Sequence, residues 1–275
     1  MSAAGPVRLI AGVAALALTV LVTACSAAPP PAARPAPRPT AVRSTRGTPR
    51  PARPVRVLGP TSPAACPAAP YGAQHYAPDA SKVSTAKTVA LTFDDGPGRS
   101  TGAVIDILRR YRVPATFFNI GQAMATRPYL VQEEVQDGFA MGNHSWNHPH
   151  LTTLAAVQQG TEISQASAEQ RRITGTVPCA LRPPYGEYDA TTLTLAQQQR
   201  LGVWLWSNDT LDWMANGADS PYWVQRIIRL AEQGSALSHP ILLMHNARAG
   251  DPATVAALPT IIEFFRARGY LFVAL

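Results

Sequence analysis

Short apolar runs rich in Val, Ile, Phe and Trp recur from residue 88 to the end of the chain, and longer stretches of helical periodicity separate them. The runs are Thr88–Phe93, Ala115–Ile120, Gly138–Met141, Ala180–Arg182, Gly202–Ser207, Ile241–Met244 and Tyr270–Val273. Each has the length and β-branched or aromatic content of a buried strand. The stretches between them, Gly102–Tyr111, Tyr129–Asp137, Thr153–Ile173, Ala190–Gln199, Tyr222–Gln233 and Val255–Arg268, read as helices. Local punctuation agrees: Ser220-Pro221 suits a helix start, and Gly269 suits a stop after Arg268. Strand and helix alternating about seven times predicts an α/β fold with a parallel sheet. The count suggests closure into a distorted (β/α) barrel of about seven strands, TIM-barrel-like. Such barrels carry their chemistry at the C-terminal ends of the strands.

The first 80 residues follow another pattern. Leu9 to Val22 is an apolar run of 14 residues behind a single charge, Arg8. A membrane span needs roughly 20 such residues, whereas a signal-peptide core is shorter. The run leads into Leu21-Val22-Thr23-Ala24-Cys25, which resembles a bacterial lipobox, where cleavage leaves the Cys N-terminal for lipid attachment. The other reading is a plain secretory signal cut near an Ala-x-Ala site. Residues 1–25 are thus expected to be a lipoprotein-type signal ending at Cys25. Residues 26–80, rich in Pro, Ala and Arg, are expected to be a disordered linker, because they offer little bulky apolar surface to offset ordering entropy. Residues 81–275 form the folded domain. The expected location is outside the cytoplasm, membrane-anchored through Cys25 or secreted if that residue is not lipidated. If Cys25 carries lipid, Cys66 and Cys179 remain as a candidate disulfide pair in an oxidising compartment.

Charge changes the picture once it is divided. The 275-residue chain carries a formal charge of +7, from 24 basic and 17 acidic side chains. Eight of the basic residues, all Arg, precede residue 64, and no Asp or Glu does. The folded part is therefore close to neutral and offers no field for gripping nucleic acid. No protein partner is predicted either.

Polar clusters stand at the predicted strand ends. The first is Thr92-Phe93-Asp94-Asp95-Gly96-Pro97, where adjacent carboxylates repel unless a cation or proton separates them. The second is His144-Ser145-Trp146-Asn147-His148, two imidazoles at a spacing that can share one metal. Pro149 biases His148 away from helical dihedrals, so both belong on a loop. His150, beyond that proline, is a further ligand candidate that reads more simply as a surface residue. One Asp with two His makes a three-ligand set with open positions, the pattern of a catalytic metal site. The remaining clusters are Arg182-Pro183-Pro184-Tyr185-Gly186, Asp209-Thr210-Leu211-Asp212-Trp213 and Leu243-Met244-His245. Taken singly, each of these three also reads as an ordinary loop or strand-end cap.

In this order, the five clusters resemble the motifs of the polysaccharide deacetylases of carbohydrate esterase family 4, the NodB-homology domain, over roughly residues 85–275. The resemblance implies a divalent-metal hydrolase that removes acetyl groups from sugars. It makes Asp95, His144 and His148 the metal ligands, with Zn2+ the first choice and Co2+ or Mn2+ compatible with the same donors. It makes Asp94 the general base, Arg182 its partner, His245 the general acid and Asp212 the carboxylate behind that imidazole. Tyr185 would supply a backbone N–H to the oxyanion, Trp213 would wall the groove, and Leu243 would line the acetyl pocket. Asn246, after His245, replaces the Asp of many relatives, and Asn147 stands where Ser or Thr is frequent. Asp209 receives no role. The expected substrate is a cell-wall glycan, peptidoglycan N-acetylhexosamine, with chitooligosaccharide or acetylated xylan as alternatives. A different class of reading is a catalytically silent wall-binding lipoprotein on the same barrel.

Overall fold

The structure, a computed structural model, describes residues 74–75, 86–216, 220–247 and 251–275. The signal, Cys25, Cys66 and nearly all of the linker lie outside these residues. In chain order the elements are β1 (Gln74–His75), β2 (Thr88–Asp94), α1 (Thr101–Tyr111), β3 (Thr116–Asn119), α2 (Gly121–Thr126), α3 (Pro128–Gln136) and β4 (Ala140–Asn143). They continue with α4 (Ala156–Thr174), β5 (Ala180–Leu181), α5 (Ala190–Gln198), β6 (Gly202–Trp204), β7 (Asn208–Asp209), α6 (Pro221–Gln233), β8 (Ile241–His245), α7 (Asp251–Ala267) and β9 (Leu271–Val273). One parallel sheet runs in the order β1-β6-β5-β4-β3-β2-β8-β7, with β9 paired to the start of β2. This is the curled parallel sheet with covering helices that the alternation predicts. Among the described residues, β1 and β7 end the path and do not pair with each other. All seven predicted strands are present, within a residue or three of the expected bounds. Two further strands, β1 and β7, are two residues each, too short to show a period. β1 falls inside the stretch whose composition reads as linker and pairs with β6.

The period of two along the strands divides the molecule. Val89, Leu91 and Phe93 of β2 join Leu242 and Met244 of β8 in the main core, against Val104, Ile105 and Leu108 of α1 and Leu258, Ile261 and Phe265 of α7. The spacing Thr101, Val104, Ile105, Leu108 is the apolar stripe that holds α1 to the sheet. The alternate residues, Thr92 and Asp94 on β2 and Leu243 and His245 on β8, occupy the other face, where the site is built. A smaller cluster of Ile163, Leu181, Ala196, Leu201 and Val203 seats α4 and α5 on β5 and β6.

One buried carboxyl makes a testable contribution to stability. Glu134 of α3 is fully buried, and its Oε2 accepts a hydrogen bond from Asn119 Nδ2 at 2.6 Å. Burial pushes this carboxyl up to about 8, against the smaller lowering effect of the Asn119 bond. A raised folded-state pKa means that the folded protein holds a proton the unfolded chain has released. Its stabilising effect is complete below the unfolded value of 4.5 and is lost as pH rises through about 8. Thermal unfolding followed from pH 4.5 to 8 should show this decline, and Glu134→Gln should flatten it. An unchanged slope in the variant would assign the decline to another group.

Candidate active site

The first cluster closes β2. Asp94 is its last residue, and Asp95 follows with φ 70°, in the left-handed region. Gly96 comes next, and a Cβ there would stand 2.6 Å from the side-chain oxygens of Asn119 and Asn246, so only glycine permits this approach. His144 follows β4 directly. Its Nδ1 lies 2.7 Å from the carbonyl oxygen of Arg182, which can only accept, so Nδ1 carries the proton and Nε2 is left as the ligand atom. His148 takes φ 64° before Pro149, on a loop as its sequence context predicts, and its N–H donates to Ser145 Oγ at 3.0 Å. Glu162 of α4 pins this loop, accepting the backbone N–H groups of Trp146 and Asn147 at 3.0 Å each. The Asn147 amide, turned so that its nitrogen donates, reaches the same carboxylate at 3.0 Å.

Asp95, His144 and His148 each bring one ligand atom to within 4.8 Å of the others, a group that could hold a metal ion. Asp95 Oδ1 stands 3.4 Å from His144 Nε2 and 3.2 Å from His148 Nε2. Burial opposes ionisation of Asp95, but hydrogen bonds from His144 and His148 outweigh it and hold the carboxyl well below the usual range. Two imidazole nitrogens and an ionised carboxylate oxygen, one imidazole already oriented by a carbonyl, suit a divalent transition cation.

Asp94 stands beside this group with a different partner. Its Oδ1 accepts from Arg182 Nη1 at 2.8 Å, and Thr92 Oγ1 accepts from the same nitrogen at 2.7 Å. The other guanidinium nitrogens donate to the carbonyls of Trp204 at 3.2 Å and Leu205 at 2.9 Å. The Phe118 ring lies 4.2 Å from the guanidinium carbon. Arg182 is wholly buried, which pulls its pKa down, while the Asp94 carboxylate opposes that shift. A buried ion pair adds little net stability, so the geometry it imposes on Asp94 explains it better.

Across the β2/β8 ladder, Asp94 is the register partner of His245. His245 Nδ1 lies 2.7 Å from Asp212 Oδ1, and its backbone N–H donates to Asp212 Oδ2 at 2.8 Å. Thr254 of α7 completes the arrangement, its hydroxyl donating to Asp212 Oδ2 at 2.7 Å. Burial works against a charged His245, but Asp212, with the charges of Asp95 and Asp94, raises the imidazole pKa to about 9.

A pocket of about 330 Å³ opens over these groups. Asp94, His144, His148, Tyr185, Trp213, Leu243 and His245, all expected from sequence, line it together with Trp206 and Asp209. Asp95 completes the ligand group beside them, and Arg182 and Asp212 stand behind Asp94 and His245. Tyr185 and Trp213 are about half exposed, whereas Leu243 is buried. Asp209 accepts the N–H of Leu211 at 2.8 Å, and burial raises its carboxyl pKa. Cys179, just before β5, is disulfide-bonded, and Cys66, its expected partner, lies outside the described residues. Glu162 and Thr254 went unnoticed in the sequence because each sits in a helix with no motif around it, far from the residue it holds. Trp206 reads as part of an apolar strand.

Fold and site together place the chain among α/β proteins with a candidate metal centre at the C-terminal ends of a parallel sheet. The polysaccharide deacetylase family model matches residues 81–204. A peptidoglycan-N-acetylglucosamine deacetylase of Bacillus cereus is 32% identical over 190 residues, covering 68% of this chain and 85% of that protein. The chain belongs to the polysaccharide deacetylase family. The peptidoglycan-N-acetylglucosamine deacetylase of Listeria monocytogenes is 35% identical over 199 residues, 72% of this chain, which spans only 40% of that longer protein. Among solved structures, a family 4 carbohydrate esterase from Streptomyces lividans in complex with acetate superposes with a TM-score of 0.61 at 34% identity, covering 68% of this chain and 91% of that one.

Proposed function

We propose that this chain removes acetyl groups from N-acetylated sugars by metal-assisted hydrolysis, and that it acts on N-acetylglucosamine in peptidoglycan. The observation that carries the chemistry is the pairing of two proton-handling groups in one pocket with separate partners. Asp94 is backed by Arg182, and His245 by Asp212, on adjacent strands in register. The names of the relatives support the substrate, as do the exported leader and linker read from the first 80 residues.

A divalent cation held by Asp95, His144 and His148, with Zn2+ proposed, would supply Lewis acidity toward the acetyl carbonyl and lower the pKa of an attacking water. Asp94 takes the proton of that water at Oδ2, because Arg182 engages Oδ1. The backbone N–H of Tyr185 donates to the carbonyl oxygen as it gains negative charge. His245 holds its transferable proton at Nε2, since Nδ1 faces Asp212, and gives it to the departing amine nitrogen. Leu243 bounds the space for the acetyl methyl, and Trp213 offers a ring for a sugar to lie against. Cys25 anchors the chain in the membrane through lipid, the linker lets the domain reach the wall, and Cys66 pairs with Cys179.

The test is acetate release by the purified chain loaded with zinc, run side by side on peptidoglycan, N-acetylated chitooligosaccharides and acetylated xylan. Release from peptidoglycan foremost is expected. Release from another glycan alone would overturn the substrate, and release from none would overturn the enzyme in favour of a glycan-binding role.

A further inference from the structure

His150, the third histidine of the second cluster, takes no part in the ligand group. Its ring instead stacks on that of Tyr185, with centroids 3.9 Å apart and planes at 7°. Its Nδ1 lies 2.9 Å from Oε2 of Glu187, two residues beyond Tyr185. The ring of His148 meets Tyr185 edge-on, at 4.6 Å and 67°. One half-exposed tyrosine is therefore held by two imidazoles of the neighbouring loop, and the outer one is tied back to the tyrosine's own loop by a carboxylate.

The backbone explains what such a clamp does. Tyr185 has φ 61° and ψ 4°, in the left-handed region. A residue with a Cβ pays about 1–2 kcal/mol for that conformation, and Tyr lacks the short polar side chain by which Asn or Asp offsets it. The direction of the Tyr185 N–H depends on the turn staying in this state. The sheet itself links the two loops sparsely, through the Asn143↔Leu181 pair of β4 and β5 and the bond from His144 to the Arg182 carbonyl.

We infer that His150 and Glu187 are positioning residues, which clamp the strained Tyr185 turn against the metal-ligand loop so that its backbone N–H stays aimed into the pocket. The inference rests on the oxyanion role proposed above for Tyr185. It concerns the chemical step, since neither side chain is a ligand.

An exposed ion pair contributes about 0–1 kcal/mol, so its loss should leave folding intact and report on the site alone. In the full chain loaded with zinc, His150→Ala should lower kcat about tenfold, part of the loss that follows removal of a whole oxyanion donor. KM, zinc affinity and Tm should stay near wild type. His150→Phe keeps a flat ring for the stack and should recover most of kcat. Glu187→Ala should lower kcat in the wild-type background and change nothing further beside His150→Phe, where no Nδ1 remains to pair.

Unchanged kcat in His150→Ala would overturn the clamp. So would a rise in KM alone, which makes His150 a substrate contact, or a loss of zinc affinity, which makes it a ligand. Failure of His150→Phe to recover would also overturn it. Absence of acetate release by the wild-type chain would instead defeat the functional reading beneath it, so the two failures are distinguishable.

Discussion

Asp94→Asn should keep its metal and lose its turnover. The substitution preserves shape and leaves an oxygen to accept from Arg182, but it removes the group that takes a proton at Oδ2. General-base catalysis is typically worth about 10²–10⁴-fold, and a loss of kcat in that range is expected with KM little changed. Metal content should match wild type, because the ligand group is Asp95, His144 and His148 and Asp94 lies outside it. Arg182 is wholly buried and would lose its counter-charge, so the variant should also unfold at lower temperature. Turnover is therefore to be measured well below the variant's own Tm. A fully active Asp94→Asn would show that another group serves as the base.

His144→Ala should fail in the opposite order, losing metal first. The substitution deletes one of three ligand atoms and also the bond from Nδ1 to the Arg182 carbonyl that orients the loop. Removing an outer-shell partner of a metal ligand costs about 10–100-fold in affinity, and removing the ligand itself should exceed that upper figure. Zinc affinity by competition with a chromogenic chelator reads this directly, without recourse to activity. Excess zinc should restore part of the turnover of His144→Ala and none of that of Asp94→Asn. Metal affinity unchanged in His144→Ala would remove His144 from the ligand set.

Much of the architecture is legible along the chain because strand and helix differ in period, and a period is local. The run Thr88–Phe93 declares itself a buried strand, and β2 is buried at every position. The short pieces escape for the same reason. α2 has six residues and β7 two, fewer than a period needs to repeat. The site divides along the same line. Residue types and their order at strand ends mark Asp94, Asp95, His144, His148, Arg182, Asp212 and His245 as candidates, and the structure gathers all of them about one pocket. Glu162 and Thr254 carry no such mark. A Thr in the first turns of α7 is unremarkable until α7 is laid beside Asp212, 42 residues earlier in the chain.

By itself, then, the sequence determined the alternation of strand and helix, the chemical kinds of group at each strand end, and the separation of a basic leader and linker from a near-neutral domain. All of these depend on neighbours within a few residues. Tertiary structure alone decided which carboxylate meets which cation. Asp94 and Arg182 lie 88 residues apart and become partners because both are buried on one face of the sheet. Asp94 faces His245 because parallel pairing of β2 with β8 sets that register. His150, next but one to a ligand, is turned instead onto Tyr185 by two loops that come together only after β4 and β5 pair. Periodicity is a property of the chain, whereas register is a property of two segments meeting.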